Sequence, residues 1–275
     1  MAILATDSNQ FYYEVHGEGE PIVLAHGLGG NHATWYQQVE VLAKAYQVIT
    51  FDHRGFGMSS DTDNLGRAGF VSDLLALVDH LNIEKAAFVG QSMGGGTVIN
   101  FANQYPERVA GLVIADSLHG FTETDDVAAI MAQARVDTAN LSQLDRVLGK
   151  AFKQANPAAA VLYQQINSFN ATDKSNLTGV YADEKVAPAQ LASLGMPIMF
   201  ISAQDDILFP IAAVRLVQEQ LTGSFMVEFD NCGHSAFFER AEEFNDSVLS
   251  FLQMAGLNPL TNSAHSNASG YEKAM

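Results

Sequence analysis

Two apolar patterns alternate along this chain. Short, predominantly apolar strand-like runs recur at Pro21-Ile22-Val23-Leu24-Ala25, Tyr46 to Phe51, Ala86-Ala87-Phe88-Val89, Val109 to Ala115, Pro197 to Ser202 and Phe225 to Phe229. Runs with no polar alternate predict strands buried on both faces, as in parallel sheets. Between them, apolar residues return at helical spacing. Asn31 to Ala45 places Trp35, Val39, Leu42 and Ala43 on one side, and Phe70 to Leu81 does the same with Leu74, Leu77, Val78 and Leu81. Thr97 to Tyr105, Ile211 to Leu221 and Ala241 to Met254 are further helices. Ahead of the first run, residues 2–16 read as a hairpin about the polar turn Asp7-Ser8-Asn9. Strand–helix alternation predicts βαβ units, and hence a mostly parallel, doubly wound sheet with flanking helices.

The alternation stops near residue 119. From Thr122 to Gln190 no buried strand is evident, and Asp126 to Val136, Leu141 to Gln154 and Pro157 to Phe169 are helix candidates. Connections in such units usually run about 2–6 residues, so residues 119–190 are expected to form an inserted helical cap. The sheet core is then 1–118 and 191–255. Residues 256–275, rich in Asn, Ser and Ala without apolar period, are expected to be a disordered tail.

Composition narrows the partners. The chain has 275 residues, 48% of them hydrophobic, and a formal net charge of −17. Such a surface repels phosphates, which argues against nucleic acid or an anionic membrane as partner. No apolar run approaches the roughly 20 residues of a membrane helix. The N-terminal residues carry neither a basic region nor a long apolar core, so no signal peptide is expected. Cys232 is the single cysteine, which fits a reducing compartment. The expectation is a soluble, cytoplasmic protein.

Candidate chemistry centres on Gly90-Gln91-Ser92-Met93-Gly94, between an apolar run and a helix. A serine between glycines at a strand-to-helix turn is the pattern of a strained elbow, where bulky neighbours two residues away would clash. The elbow lifts the hydroxyl off the sheet at a helix N-terminus, where peptide N–H groups favour developing negative charge. A hydroxyl is a poor nucleophile at neutral pH. It needs a base, and the base needs a group that fixes its tautomer.

His234, in a Gly-His turn after the last strand, is the best base. His26 also ends a strand, but its glycine-rich surroundings suit a turn-stabilising role. His16, His32, His53, His80, His119 and His265 lack the strand-end context or the chain order. Asp205, Asp206 and Asp116 all lie just past strands; Asp206 is favoured by its spacing from the strand and from Pro210, with Asp116 as the reserve position. An oxyanion needs two backbone N–H donors. Met93, directly after the serine, supplies one, and Leu28 in His26-Gly27-Leu28-Gly29-Gly30 is the preferred second.

These motifs, with Asp52-x-Arg54-Gly55-x-Gly57-x-Ser59, stand in an order that resembles the α/β-hydrolase superfamily over residues 2–255. The resemblance implies the α/β-hydrolase fold with a Ser92–Asp206–His234 triad and Leu28 and Met93 as oxyanion donors. It requires no metal or organic cofactor. The chain looks like the branch holding small esterases, enol-lactonases, haloperoxidase-like enzymes and C–C hydrolases of ring-cleavage products. Those C–C hydrolases usually carry Asn before the serine and Trp after the histidine, where this chain has Gln91 and Ser235. Arg135 and Arg146 are the available cap arginines for a substrate carboxylate. Ester or lactone hydrolysis of a small apolar substrate is therefore preferred to C–C cleavage or to a slow-turnover receptor. Apolar cap residues (Ile130, Met131, Leu144, Leu148, Phe152, Leu162, Tyr163, Ile166, Phe169) are candidates for an acyl site or, individually, for packing.

Overall fold

A computed structural model describes residues 2–6, 9–170 and 185–260. Its eight strands are β1 (Ala2–Ala5), β2 (Gln10–His16), β3 (Pro21–Ala25), β4 (Gln47–Phe51), β5 (Ala86–Gln91), β6 (Val109–Ala115), β7 (Ile198–Ala203) and β8 (Phe225–Phe229). They form one sheet in the order β1-β2-β4-β3-β5-β6-β7-β8. The two pairings of β2 are antiparallel and every other pairing is parallel.

The apolar runs are explained by what covers each face. Val23, Ile49, Phe88, Ile114 and Phe200 face one core, with Leu74, Phe101 and Val214 from helices. Their neighbours Leu24, Val48, Val89, Val113 and Ile201 face the other, with Trp35, Phe244 and Val248. Successive side chains of a strand point to opposite faces, so both sets must be apolar. Each fully buried Val, Leu, Ile or Phe contributes about 1.5–3 kcal/mol.

The helices are α1 (Tyr36–Leu42), α2 (Phe70–His80), α3 (Met93–Gln104), α4 (Asp125–Thr138), α5 (Gln143–Val147), α6 (Lys150–Ala155), α7 (Pro157–Ser168), α8 (Pro188–Ser193), α9 (Ile211–Gln218), α10 (Ala236–Glu239) and α11 (Ala241–Met254). Three differ from the sequence reading in an informative way. The first opens as a 3₁₀ turn at His32–Trp35, because the Asn31 side chain accepts from Ala33 N at 3.0 Å. Helix α3 starts at Met93 and runs through Gly94–Gly96, well before Thr97. Glycine disfavours helix by roughly 1 kcal/mol per residue, but a Cβ on Gly94 would lie 2.1 Å from the Ala25 carbonyl oxygen and one on Gly95 2.6 Å from Ser117 Oγ. The expected helix 141–154 is broken into α5 and α6 by extended Leu148.

Helix α4 packs beside α9, with Val127 and Met131 in the same core as Val214 and Val217. The first residues of the stretch expected to be a tail are docked on the core. Leu257 is buried, the Tyr46 hydroxyl donates to the Leu257 carbonyl at 3.3 Å, and Leu260 N donates to the Ala45 carbonyl at 2.9 Å. The remainder of that stretch, like residues 171–184 of the expected cap, lies outside the described residues.

The loop after β4 is fixed to α2 by a buried ion pair. Arg54 Nε and Nη2 donate to the two carboxylate oxygens of Asp73 at 2.6 and 2.5 Å. Removing one partner of such a pair leaves an uncompensated buried charge. Arg54→Met is therefore expected to lower stability by about 3–5 kcal/mol, read as a shifted urea midpoint with the slope unchanged.

Candidate active site

The carboxyl ends of β3 and β5 are where the chain reverses its direction of travel through the sheet, the usual place for a ligand crevice in open α/β sheets. Ser92 sits there between β5 and α3 with φ +50° and ψ −115°. A non-glycine residue at positive φ is strained by about 1–3 kcal/mol and persists only where its surroundings over-determine it. Here Ser92 N donates to the Ala115 carbonyl at 3.0 Å, and the Ser92 carbonyl accepts from Ser117 Oγ at 2.6 Å and Gly95 N at 2.9 Å. A Cβ on Gly90 would meet the Gly94 carbonyl oxygen at 2.5 Å, which is the clash the flanking glycines avoid.

His234, 3% exposed, follows β8. Its Nδ1 lies 2.9 Å from Asp206 Oδ2, while Asp206 Oδ1 accepts from Leu208 N and Phe209 N at 2.8 and 3.0 Å. The Phe209 ring stacks on the imidazole at 5.6 Å. The other two aspartates are not in this position. Asp205 is exposed. Asp116 is fully buried with φ +46°, and its Oδ2 accepts from Ala236 N at 3.1 Å, while among the described residues its Oδ1 has no partner within hydrogen-bonding geometry. Burial, reinforced by the Asp206 charge, holds the Asp116 carboxyl well above the usual carboxylate range.

The sequence reading did not anticipate the role of the Gln91 side chain. Its Nε2 donates to the His234 carbonyl at 3.1 Å and lies 3.3 Å from His234 Nε2. Donation to a carbonyl fixes that amide end as nitrogen, so the facing imidazole nitrogen is an acceptor and the ring proton is on Nδ1, toward Asp206. Among the described residues no hydrogen bond joins Ser92 Oγ to His234. Gln91 also reaches toward the oxyanion loop: a Cβ on Gly27 would lie 2.1 Å from its Oε1. Only the contact geometry reveals this, since Gln91 stands at the unrestricted position of the Gly-x-Ser-x-Gly pattern.

The glycine-rich turn carrying Leu28 is held by buried histidine. His26 Nδ1 lies 2.9 Å from the Gly27 carbonyl oxygen, and its Nε2 accepts from His53 N at 3.0 Å. This agrees with the turn-stabilising role expected of His26. Burial pushes His26 down to about 4 and His119, whose ring packs on Phe209, down to about 3. Both are therefore neutral at pH 7. Asp52 Oδ1 accepts from His32 N at 2.6 Å, and its Oδ2 accepts from Met58 N at 2.8 Å, joining the two loops. Met93 is buried against Phe56 and Phe70.

Gly27, Leu28, Gln91, Ser92, His234 and Phe237 enclose a small cavity with Val147 and Tyr163 of the inserted helices. It has room for about one water molecule. Of the apolar residues expected at an acyl site Tyr163 lines it, and Val147, which the sequence pattern does not single out, lines it as well. Leu148, Met131 and Ile166 are buried, whereas Leu162 and Phe169 are exposed. Arg146 lines a separate groove and Arg135 is exposed; neither lines the Ser92 cavity.

Residues 20–241 match the family described by the alpha/beta hydrolase fold, and the chain belongs to it. It is a hydrolase of that family. It is 32% identical over 263 residues to a 2-hydroxy-6-oxononadienedioate/2-hydroxy-6-oxononatrienedioate hydrolase of Paraburkholderia phymatum, covering 88% of this chain and 90% of that one. It is 26% identical over 263 residues to a putative carbamate hydrolase, RutD, of Agrobacterium fabrum, covering 88% and 97%. Its fold superposes on the crystal structure of the enol-lactonase of Burkholderia xenovorans with a TM-score of 0.76 at 25% identity, covering 92% and 100%. No described helix is long and apolar enough to cross a membrane.

The Asp116 environment generates a pH test with a defined sign. A carboxyl raised in the folded state favours folding below its unfolded pKa, and that contribution is lost as pH rises toward the folded pKa. Asparagine at 116 has no charge to lose. The melting temperature of Asp116→Asn minus that of the unsubstituted protein should therefore increase as pH rises from about 4 to 8. A flat difference across a calorimetric pH series would contradict this.

Proposed function

We propose that this protein is a serine hydrolase that cleaves carboxylic esters, lactones included, of small apolar substrates through an acyl-enzyme on Ser92. One observation carries the reading. A buried serine is forced onto a positive-φ elbow at the N-terminus of a twelve-residue helix, and it shares one small cavity with a histidine already paired to a buried aspartate.

Substrate binding displaces the Gln91 amide from His234 Nε2, and the imidazole turns to Ser92 Oγ; hydrogen bonds of this kind often form only in the substrate complex. Ser92 Oγ attacks the carbonyl carbon while Nε2 takes its proton. Asp206 holds the Nδ1–H tautomer and stabilises the imidazolium. The Leu28 and Met93 N–H groups receive the oxyanion, assisted by the positive end of α3. His234 then protonates the leaving alkoxide and activates a water that releases the acid. The relatives are hydrolases named for a carbamate, an enol-lactone and a 2-hydroxy-6-oxononadienedioate. What these chemistries share is attack on an activated carbonyl, and apolar Val147, Tyr163 and Phe237 beside Ser92 suit an uncharged acyl group.

A second reading, C–C cleavage of a ring-cleavage product, draws support from the 32% identity to the Paraburkholderia hydrolase. Gln91 and Ser235 argue for the ester reading. Purified protein should turn over short-chain p-nitrophenyl esters many times per site. Ser92→Ala should lower kcat at least about a thousandfold, and Asp206→Asn about a hundredfold or more. Retention of a tenth of the activity by the alanine variant would overturn the nucleophile assignment. Faster turnover of a vinylogous 1,5-diketone than of any ester would favour the second reading.

A further inference from the structure

The cavity at Ser92 is too small for any ester, so productive binding requires one of its walls to move. The wall contributed by the inserted helices is held at two places. On one side the Asn31 amide donates to the Ile166 carbonyl at 2.8 Å, and Asn170 accepts from Gly57 N at 2.7 Å and donates to the Gly29 carbonyl at 2.6 Å. On the other side the Ser235 hydroxyl meets the Tyr163 hydroxyl at 3.1 Å, and a buried carboxylate ties the two backbones together. Glu239, 9% exposed at the end of α10, accepts from Gly149 N at 2.9 Å through Oε1 and from Gly233 N at 3.0 Å through Oε2.

Gly149 lies in the break between α5 and α6, and Gly233 immediately precedes His234. Their backbones touch: a Cβ on Gly233 would lie 2.3 Å from Gly149 N, and one on Gly149 would lie 3.0 Å from Gly233 N. This contact also separates two spaces. Leu148, Gly149 and Gly233 line an outer groove, whereas Val147 and His234 line the Ser92 cavity. Along the chain the partition is one residue thick on each side. The break in the helix has its cause here as well, because Gly149 N–H is directed to Glu239.

We propose that Glu239 is a positioning residue that latches the α5–α6 break onto the His234 loop, and that release of its Gly149 bond joins the outer groove to the Ser92 cavity as the substrate entrance. Closed, the carboxylate holds Val147 over the serine and, through Gly233 N–H, fixes the backbone from which His234 projects. Open, it keeps Gly233 and gives up only the insert. The entrance function rests on Ser92 as the reacting group, but opening of the contact can be read without any catalysis.

The native Cys232 provides that reading. It is the single cysteine of the chain, fully buried and adjacent to Gly233. Its reaction with dithiobis(nitrobenzoate) in the full-length protein under native conditions reports exposure at this contact. Glu239→Gln keeps the shape but turns an amide N–H toward one of the two backbone donors. It should label about tenfold faster, the change expected for loss of one charge-assisted hydrogen bond. Gly149→Ala, which keeps Glu239 and pushes a methyl group against it, should also label faster and remains informative if the glutamine variant folds poorly. Val217→Ala, in the core beneath α9 and matched to Glu239→Gln in melting temperature, should not. In the ester assay, the ratio of kcat/KM for a long-chain over a short-chain p-nitrophenyl ester should rise in the Glu239 variant. Unchanged labelling in both contact variants, or equal acceleration in Val217→Ala, would overturn the latch. Inactivity toward every ester with accelerated Cys232 labelling would instead retire the ester reading and leave the latch standing.

Discussion

The structure depends on how closely α3 can approach the end of β3. Gly94 stands where a single Cβ would lie 2.1 Å from the Ala25 carbonyl oxygen. That approach sets the spacing between the Ser92 elbow and the loop Gly27-Leu28. It also explains three glycines at the start of a helix, a choice that local propensity opposes. The strain at Ser92, with φ +50°, is sustained by bonds to Ala115 at the end of β6, to Ser117 just past it and to Gly95 in α3. The elbow is a product of the sheet as much as of its own residues.

Around this contact the fold keeps charge scarce and aimed. His26, His53 and His119 are all pushed down by burial, so three imidazoles near the site serve as neutral struts. Two aspartates stand at the carboxyl ends of adjacent strands, and their surroundings separate them. Asp206 meets two backbone N–H groups and the imidazole, whereas Asp116 accepts from Ala236 N and, among the described residues, its Oδ1 has no partner within hydrogen-bonding geometry. Desolvation disfavours the charged form of a buried carboxyl, which raises Asp116.

The parts of the fold that were legible were those written in short-range apolar pattern. Six runs became β3 to β8 nearly to the residue; for the inner strands the reason is cover on both faces, whereas edge strand β8 keeps Phe225 exposed. The glycines of the elbow were legible for a similar reason, since their spacing about Ser92 is set by a local clash. Helix boundaries were less legible where distant groups compete for the backbone. Leu148-Gly149 reads as helix until Glu239, far along the chain, takes the Gly149 N–H. The docking of Leu257 against Tyr46 likewise has no local signal.

The site divides in the same way. Ser92 and His234 could be singled out in the sequence because both sit in turns with restricted backbones, and spacing from the strand and from Pro210 favoured Asp206 over Asp205 and Asp116. In the structure Asp206 is the aspartate beside the imidazole. Gln91 was visible only as a departure from a pattern, while its amide against His234 is a matter of side-chain reach across the cavity. The sequence by itself determined the sheet, the elbow and the residue types the chemistry needs, since these follow from interactions over a few residues. The tertiary structure alone decided that Asp116 turns to Ala236 N, that Gln91 faces the imidazole at rest, and that Glu239 ties Gly149 to Gly233. Each of these is a contact between groups far apart in the chain, set by the packing of whole elements.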